Sequence, residues 1–296
     1  MIRTLFFTAL LLFTTPITAR NDLRQEIRNI VKDKKAIIGV AVRTSDGRSF
    51  AMRNNRCYPL MSVFKFHIAI AALQRMEQEK IAPQNIVKID STWLPYGTYS
   101  PLRDQNPDRN VRISLAELVH YTISLSDNCT CDWFISFAGG IESVNRSAKN
   151  LRIGRFRLTE TEATMHEDIQ RCYANRSTPR SMVRLLRKVY EKAILNADSF
   201  ELLEQAMLAT STGSDKLKAG LPEESRIGHK TGHSDRTATG IKIGDNDAGI
   251  VYLPDGRWYY IAVFIRDSQE SDKTNASAIA EISKAVYHWA TSSSIQ

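Results

Sequence analysis

The chain has 296 residues, of which 43% are hydrophobic and 24% are charged, a composition typical of globular proteins and unlike that of disordered chains. The formal net charge is +8, but lysines and arginines are interspersed with acidic residues, which favours a solvated surface over a nucleic-acid interface. We therefore expect no nucleic-acid partner.

The N-terminal segment, residues 1–19, has the pattern of a secretory signal peptide. Arg3 gives a basic start, an apolar run extends from Leu5 to Phe13, and Ala19 supplies a small residue before a cleavage point. The apolar run is too short to span a bilayer comfortably, and no later segment approaches that length. We predict cleavage after Ala19, export across the inner membrane to the periplasm, and no membrane span thereafter.

Export would permit disulfides between the four cysteines, Cys57, Cys129, Cys131 and Cys172. The sequence does not determine their connectivity. No cysteine–histidine pair has the spacing of a zinc site. Buried free thiols, with no metal, are the interpretation that we favour.

The mature chain begins with a predicted helix at 21–34 and a buried strand at 36–42, followed by a turn at 45–47 into a second strand. The middle is helical, with apolar periodicity at 63–78, 115–123, 131–137 and 179–192. Ser114 and Glu117 form a capping-box pattern before the second of these helices. Two irregular stretches, 93–112 and 158–178, separate the helices. The second is long for a loop, and such loops are usually functional or disordered.

The C-terminal part returns to strands, at 226–230, 248–253 and 258–265. The Pro254-Asp255-Gly256 turn joins the last two strands as a hairpin. A final helix is predicted at 272–289. Strands at both ends and helices between them predict an α/β chain with the helical block inserted within the sheet layer.

Three short motifs carry potential chemistry. Ser62 and Lys65 lie on one face at the start of a predicted helix, where the helix dipole and free N–H groups act on the hydroxyl. Ser126-Asp127-Asn128 follows in the helical block, and Lys230-Thr231-Gly232 ends a predicted strand. Each motif alone is more simply explained: a solvent-facing pair, a helix N-cap and a strand end with a turn glycine.

Their combination changes this interpretation. Serine-x-x-lysine, serine-aspartate-asparagine and lysine-threonine-glycine in this order form the motif set of class A β-lactamases and penicillin-binding proteins. The sequence resembles a class A serine β-lactamase over nearly the whole mature chain, nearest the extended-spectrum cephalosporinase branch. The resemblance implies an α/β, two-domain serine β-lactamase/penicillin-binding-protein-like fold, in which terminal helices flank an antiparallel five-stranded sheet beside an all-helical domain.

The resemblance also implies a division of the chain and a set of roles. Residues 20–60 and 210–296 would form the discontinuous α/β domain, and residues 61–209 the all-helical domain. Ser62 would be the nucleophile, Ser126 would pass a proton to the lactam nitrogen, and Lys230 would assist electrostatically. The acylation base would be Lys65, or Glu162 acting through a water; the sequence leaves both open.

Glu162 in the long loop matches the family glutamate that activates water against the acyl-enzyme. Glu160 and Glu167 are neighbouring competitors, and a solvated acidic loop is the simpler alternative. A transpeptidase-type penicillin-binding protein would lack this carboxylate. Backbone N–H groups of Ser62 and His233 would form the oxyanion hole.

The remaining predicted substrate-binding residues are Tyr99, Asn128, His166, Lys216, Thr231 and Gly232. Several positions depart from the family pattern. His166 stands where most members have asparagine, and His233 stands where a small residue is usual. Glu160 and Asn175 replace the usual loop salt bridge, so we expect a different hydrogen-bond arrangement there. No arginine is evident at Asn246, and Lys216 is predicted to bind the substrate carboxylate instead.

The sequence therefore predicts a monomeric, cofactor-free β-lactamase that hydrolyses penicillins and cephalosporins and confers resistance. Two alternatives stay open. A penicillin-binding peptidase would share the three motifs but release the acyl group slowly. A non-hydrolytic β-lactam sensor would remain acylated.

Overall fold

The computed structural model describes residues 17–191 and 194–292. The predicted signal peptide lies almost entirely outside the described residues. The helices are α1 (Ile17–Val31), α2 (Phe64–Glu79), α3 (Pro101–Gln105), α4 (Leu115–Ile123), α5 (Asn128–Phe137), α6 (Ile141–Asn150), α7 (Glu162–Glu167), α8 (Pro179–Tyr190), α9 (Ala197–Leu208) and α10 (Asp272–Thr291). Short 3₁₀ turns span Met61–Val63, Ile169–Tyr173 and Lys218–Gly220.

The strands are β1 (Ile37–Thr44), β2 (Ser49–Met52), β3 (Tyr58–Pro59), β4 (Ile86–Ile89), β5 (Val111–Ser114), β6 (Phe156–Arg157), β7 (Arg176–Ser177), β8 (Ile227–His233), β9 (Lys242–Tyr252) and β10 (Trp258–Ser268). The main sheet has five strands in the order β2-β1-β10-β9-β8, and all its pairings are antiparallel. This is the sheet that the family resemblance implies, so the predicted fold class is confirmed. The last strand of the chain, β10, lies at the centre of the sheet.

Hydrophobic residues cover both faces of the sheet. Along β10, Ile261, Val263 and Ile265 face one core while Ala262 and Phe264 face the other, because successive side chains of a strand point to opposite faces. The first core is closed by the terminal helices α1 and α10, and the second by the helical block, in which α8 and α9 contact the strands. Cover on both faces explains why β9 and β10 are buried almost continuously.

Most predicted helices are confirmed within a few residues. The capping box at α4 is present: the Glu117 N–H donates to Ser114 Oγ at 3.2 Å and the Ser114 N–H donates to Glu117 Oε2 at 3.0 Å. The first helix begins at Ile17 and ends at Val31, earlier than predicted at both ends. Two helices, α6 and α9, were not predicted, and both long irregular stretches contain a short helix.

The predicted strand at 248–253 is too short, because β9 begins at Lys242. The missed half contains Asp245, Asn246 and Asp247, a sequence typical of a turn. All three are buried, and each side chain has a hydrogen-bond partner. Within the described residues no helix is both long and apolar enough to cross a membrane.

Candidate active site

Ser62 lies in a tight 3₁₀ turn, Met61–Val63, that leads directly into α2. Met61 has a φ of 48°, a left-handed conformation that is uncommon for a residue with a side chain. Such strain persists where the surrounding structure enforces it, and it is frequent at functional sites. The turn places the Ser62 hydroxyl at the helix N-terminus, as the sequence predicts.

The reason for the glycine at position 232 is a close approach of β8 to the Ser62 turn. A Cβ atom on Gly232 would lie 2.7 Å from Ser62 N and 2.8 Å from Leu60 O. Only glycine lets the strand come this near without a clash. His233 N, one residue further along β8, is therefore held beside the Ser62 turn.

Lys65 is fully buried one helical turn after Ser62, at the meeting point of three elements. Its Nζ donates to Ser126 O at 2.7 Å and to Asn128 Oδ1 at 2.6 Å. The same Nζ lies 2.9 Å from Glu162 Oε1. Ser62 Oγ donates to this carboxylate oxygen at 3.4 Å, so one Glu162 oxygen contacts both members of the first motif.

Lys230 approaches the site from the opposite side, on β8. Its Nζ is buried and donates to Ser126 Oγ at 2.9 Å and to Thr231 O at 3.0 Å. Ser126 has a φ of 60°, and its hydroxyl lies between the two lysines, at 3.5 Å from Lys65 Nζ. Ser126 thus connects the first and third motifs.

The two buried lysines have opposite pKa directions. Burial, followed by the positive charge of Lys65, holds the pKa of Lys230 well below its usual range. Burial is the largest effect on Lys65 and lowers its pKa, but the Glu162 carboxylate together with Cys131 and Asp127 outweighs burial, so the pKa of Lys65 is raised. Lys65 is therefore held as an ammonium, and Lys230 is the more acidic of the two lysines.

Glu162 begins α7 within the long loop, where Thr161 caps the helix. The segment is held from α5 by Asp132, whose Oδ1 accepts from Glu162 N at 2.8 Å and whose Oδ2 accepts from Ala163 N at 2.9 Å. Burial raises the pKa of Asp132 to about 6, with the Glu162 carboxylate adding to the rise. The position of Glu162 thus depends on a residue that sequence reasoning missed.

These groups surround a cavity of about 610 Å³, a volume within the range of small-molecule sites. The predicted residues that line it are Ser62, Tyr99, Ser126, Asn128, Glu162, His166, Thr231, Gly232 and His233. Lys65 and Lys230 lie beneath its surface. A serine hydroxyl, a carboxylate and two buried lysines therefore meet at one concave site.

Comparisons with known proteins agree with this geometry. A family model described as the β-lactamase enzyme family matches residues 22–290. A β-lactamase of Bacteroides uniformis is 46% identical over 288 residues, covering 95% of this chain and 97% of that protein. The crystal structure of a class A β-lactamase from Bacteroides cellulosilyticus DSM 14838 matches with a TM-score of 0.90 and 46% identity, covering 93% of this chain and 99% of that one. The chain belongs to the class A β-lactamases.

A second relative extends the comparison beyond Bacteroides. The extended-spectrum β-lactamase PER-1 of Pseudomonas aeruginosa is 33% identical over 272 residues, covering 90% of this chain and 87% of that protein. The chain is therefore a hydrolase of β-lactams, and the penicillin-binding peptidase and sensor interpretations are not favoured.

The second motif of this β-lactamase contains a helix cap whose two flanking residues line the cavity. Asp127 is the N-cap of α5, accepting from Thr130 N at 2.9 Å, and it also accepts from Ser100 Oγ at 2.8 Å. Ser126 and Asn128, on either side of it, face the cavity. The cap fixes the backbone that presents the two polar side chains.

The loop around Glu162 has the altered hydrogen bonding expected from Asn175. Its Oδ1 accepts from Thr159 N at 2.8 Å and from Glu160 N at 3.0 Å, and its Nδ2 donates to Glu160 O at 2.9 Å. Asn175 is fully buried. A neutral amide therefore holds the loop by its backbone, independently of the Glu160 side chain.

The structure places Lys216 differently from the prediction. It is buried, does not line the cavity, and its Nζ lies 2.5 Å from Asp245 Oδ1. Because its charge is already paired, the predicted role in binding the substrate carboxylate is not supported by this placement. Burial of the imidazole, followed by the positive charge of Lys216, lowers the pKa of His233, which favours the neutral ring.

Other polar residues at the cavity escaped sequence reasoning. Thr98 Oγ1 accepts from Asn128 Nδ2 at 2.8 Å, and Thr212 Oγ1 lies 2.6 Å from Thr231 Oγ1. Neither lies in a recognisable motif, and only their spatial neighbours reveal them.

The cysteines and metal ligands can be assessed over the part of the chain that the structure describes. There, all four cysteines are free thiols: Cys129, Cys131 and Cys172 are buried, and Cys57 is half-buried. The prediction of buried free thiols therefore holds for three of them. No group of histidine, cysteine, aspartate or glutamate in the same described residues could hold a metal ion.

Proposed function

We propose that Ser62 is the nucleophile of this β-lactamase and that Glu162 is its base. The observation that carries the proposal is one carboxylate oxygen, Glu162 Oε1, placed 3.4 Å from Ser62 Oγ and 2.9 Å from Lys65 Nζ. Because Lys65 is held as an ammonium, it is unsuited to accept the serine proton. Glu162 accepts that proton instead, directly or through one water.

Acylation then forms a bond between Ser62 Oγ and the lactam carbonyl carbon, and the carbon–nitrogen bond breaks. The leaving nitrogen takes the proton of the Ser126 hydroxyl, which is replaced from the Lys230 ammonium 2.9 Å away. The lowered pKa of Lys230 makes it a stronger acid for this step. Lys65, near both Glu162 and Ser126, offers the path by which the proton returns.

Deacylation uses the same carboxylate. Glu162 takes a proton from water, the resulting hydroxide attacks the ester carbonyl, and the ester bond to Ser62 breaks as Glu162 passes that proton to Ser62 Oγ. In both steps the N–H groups of Ser62 and His233 stabilise the negative carbonyl oxygen, a contribution of about 2.7–4 kcal/mol per donor in comparable sites. No organic cofactor or metal is part of this proposal.

Substrate binding is proposed for the residues that line the cavity. Asn128, Thr231 and Gly232 offer polar groups for the substrate amide and carboxylate. Tyr99, which is 55% exposed, forms an aromatic wall, and His166 and His233 also line the cavity. We propose penicillins and cephalosporins as substrates, with the cephalosporin preference inferred from the likeness to PER-1, an extended-spectrum enzyme by its name.

The same proposal includes the cellular setting. Cleavage after Ala19 and export to the periplasm are supported by the N-terminal sequence pattern. The mature protein is proposed to act as a monomer with residues 20–60 and 210–296 as its α/β domain and residues 61–209 as its helical domain. The position of the Ser62 turn between β8 and α2 supports a site at the boundary of the two.

Intact-mass spectrometry with a cephalosporin tests the assignment of the base. In Glu162→Gln, both acylation and deacylation should slow, turnover should fall by about 10³-fold or more, and the acyl-enzyme that forms should persist. The unmodified protein should show full turnover with little adduct. Glu167→Gln, a neighbouring exposed carboxylate on the same helix, is the matched control and should behave as the unmodified protein. A Glu162→Gln variant that turns over normally would overturn the proposal.

A further inference from the structure

A second concave surface lies at the free edge of the main sheet and shares no residue with the catalytic cavity. It occupies about 500 Å³ between α1, the strands β1 and β2, and α8. Five arginines line it: Arg24, Arg43, Arg180, Arg184 and Arg187. We refer to the concave surface lined by these five arginines as the arginine groove.

Three elements direct these side chains to one place. Arg180, Arg184 and Arg187 are spaced by four and three residues on α8, so they share one face of that helix. Arg43 lies on the same face of β1 as Ala41, which packs toward the helical block. The Arg24 guanidinium reaches from α1 to lie 5.4 Å from the centre of the Phe50 ring.

The positive charge of the groove is largely uncompensated. No acidic residue lines it among the residues that the structure describes. Over the described ranges 17–191 and 194–292, the only ion pair formed by these arginines is between Arg187 Nε and Glu191 Oε2, an exposed pair at 3.5 Å. Arginines elsewhere hold carboxylates more closely, as in Arg236 with Asp272 at 2.5 Å. Guanidinium groups gathered without counter-charges raise the local potential and attract anions.

We propose that the arginine groove binds a compact anion that carries several phosphate groups. Guanidinium forms paired hydrogen bonds with phosphate oxygens, a geometry that ammonium does not provide. Several phosphates can engage several arginines at once, whereas the single carboxylate of a β-lactam cannot. Phe50, the only aromatic residue in the described part of the lining, is buried beneath Arg24, so the described residues offer no stacking surface for nucleic-acid bases.

The phosphate groups could belong to a free oligophosphate or to a lipid headgroup, because both present the same chemistry. Isothermal titration of the full chain with inorganic tripolyphosphate measures the first. Sedimentation with phosphatidylcholine vesicles, with and without cardiolipin, measures the second. Saturable tripolyphosphate binding that weakens at high salt is the expected result.

A paired substitution tests the location. Arg180→Gln combined with Arg184→Gln should lower the tripolyphosphate affinity by about 10–100-fold, because charge-assisted hydrogen bonds are lost. The control is Arg112→Gln combined with Arg146→Gln, which removes the same charge from exposed positions on β5 and α6 and should change the affinity by at most about twofold. β-Lactam turnover should be unchanged in both variants, so the result is independent of the proposed catalytic roles.

Two outcomes would overturn the inference: no saturable binding of either probe at low salt, or an equal loss of affinity in the control pair, which would indicate net charge alone. Binding of tripolyphosphate without cardiolipin would support the site and assign a soluble ligand. Binding of both probes would support it and assign a headgroup.

Discussion

Asp132 shows how a single side chain positions the proposed base without touching the substrate. Each of its two oxygens accepts one N–H from the start of α7, and only an ionised carboxylate can accept both without a proton of its own intervening. Burial, the repulsion of Glu162 and the attraction of Lys65 all act on the same group. Asp132 therefore holds the start of α7 in place, but its ionisation in this buried position is unfavourable.

The pH dependence of stability should reveal this cost. The pKa of Asp132 is raised to about 6, above its value in the unfolded chain, so its contribution favours folding most at low pH and is lost as pH rises through about 6. In the unmodified protein, Asp132 should lower the free energy of unfolding by on the order of 1–3 kcal/mol as the pH rises from about 4.5 to 7.5. In Asp132→Asn this decrease should be absent. Urea unfolding at both pH values measures it.

The same Asp132→Asn variant should also turn over more slowly, by roughly 10–100-fold. An amide oxygen can serve only one of the two N–H groups, and the side-chain NH₂ opposes the other. Asp108→Asn, at an exposed position, should change neither property. Identical pH profiles for Asp132→Asn and the unmodified protein would show that Asp132 does not titrate in this range.

The strand β9 was only half predicted from the sequence. Its apolar half was predictable from β-branched residues and the following turn. Its polar half was not, because the partners that satisfy Asp245, Asn246 and Asp247 come from distant parts of the chain. Asn246 alone donates to Pro59 O and Leu60 O and accepts from Ile265 N. The local propensity of these residues predicts a turn, but hydrogen bonds to distant parts of the chain stabilise a strand instead.

The helices and the site residues were likewise only partly predicted from the sequence. Helices with a strong apolar face, such as α2 and α8, were predictable, whereas α6 and α9 escaped notice among polar residues. The motif residues Ser62, Lys65, Ser126 and Lys230 were found because motif order carries the information. Asp132 and Thr212 were not, because they act through neighbours that only the folded chain brings together.

The pairing of Lys216 with Asp245 yields a prediction that separates two roles for this lysine. Lys216→Met leaves a buried carboxylate without its partner, which should lower the free energy of unfolding by about 3–5 kcal/mol. The double variant with Asp245→Asn should regain part of that loss, because the unpaired charge is gone. Thermal and urea unfolding measure both. A raised KM with unchanged stability would instead restore the substrate-binding role.

For the whole molecule, the state of the cysteines is a direct test of how the fold is held together. Burial raises the pKa of Cys129 to about 11 and that of Cys172 to about 12, and it raises the pKa of Cys131 well above its usual value. Because the thiolate is the reactive form, these three thiols should be unreactive at neutral pH. Packing, with no disulfide among the described residues, must then supply the stability.

Thiol titration with Ellman's reagent should accordingly find one accessible group, Cys57, in the native protein. All four should react after unfolding in urea without reductant, because none is oxidised in the folded structure. Cys57→Ser should abolish the fast native reaction and leave the slow ones unchanged. Fewer than four thiols in the unfolded, unreduced protein would reveal a disulfide.

The central place of β10 in the sheet bears on how the chain is made. β1 has β10 as a neighbour on one side, and β9 reaches β1 only through β10. A growing chain on the ribosome therefore cannot complete its sheet until almost the last residues have emerged. We expect the nascent polypeptide to lack its completed sheet for most of its synthesis, so that the native fold forms at the end of translation rather than progressively during it.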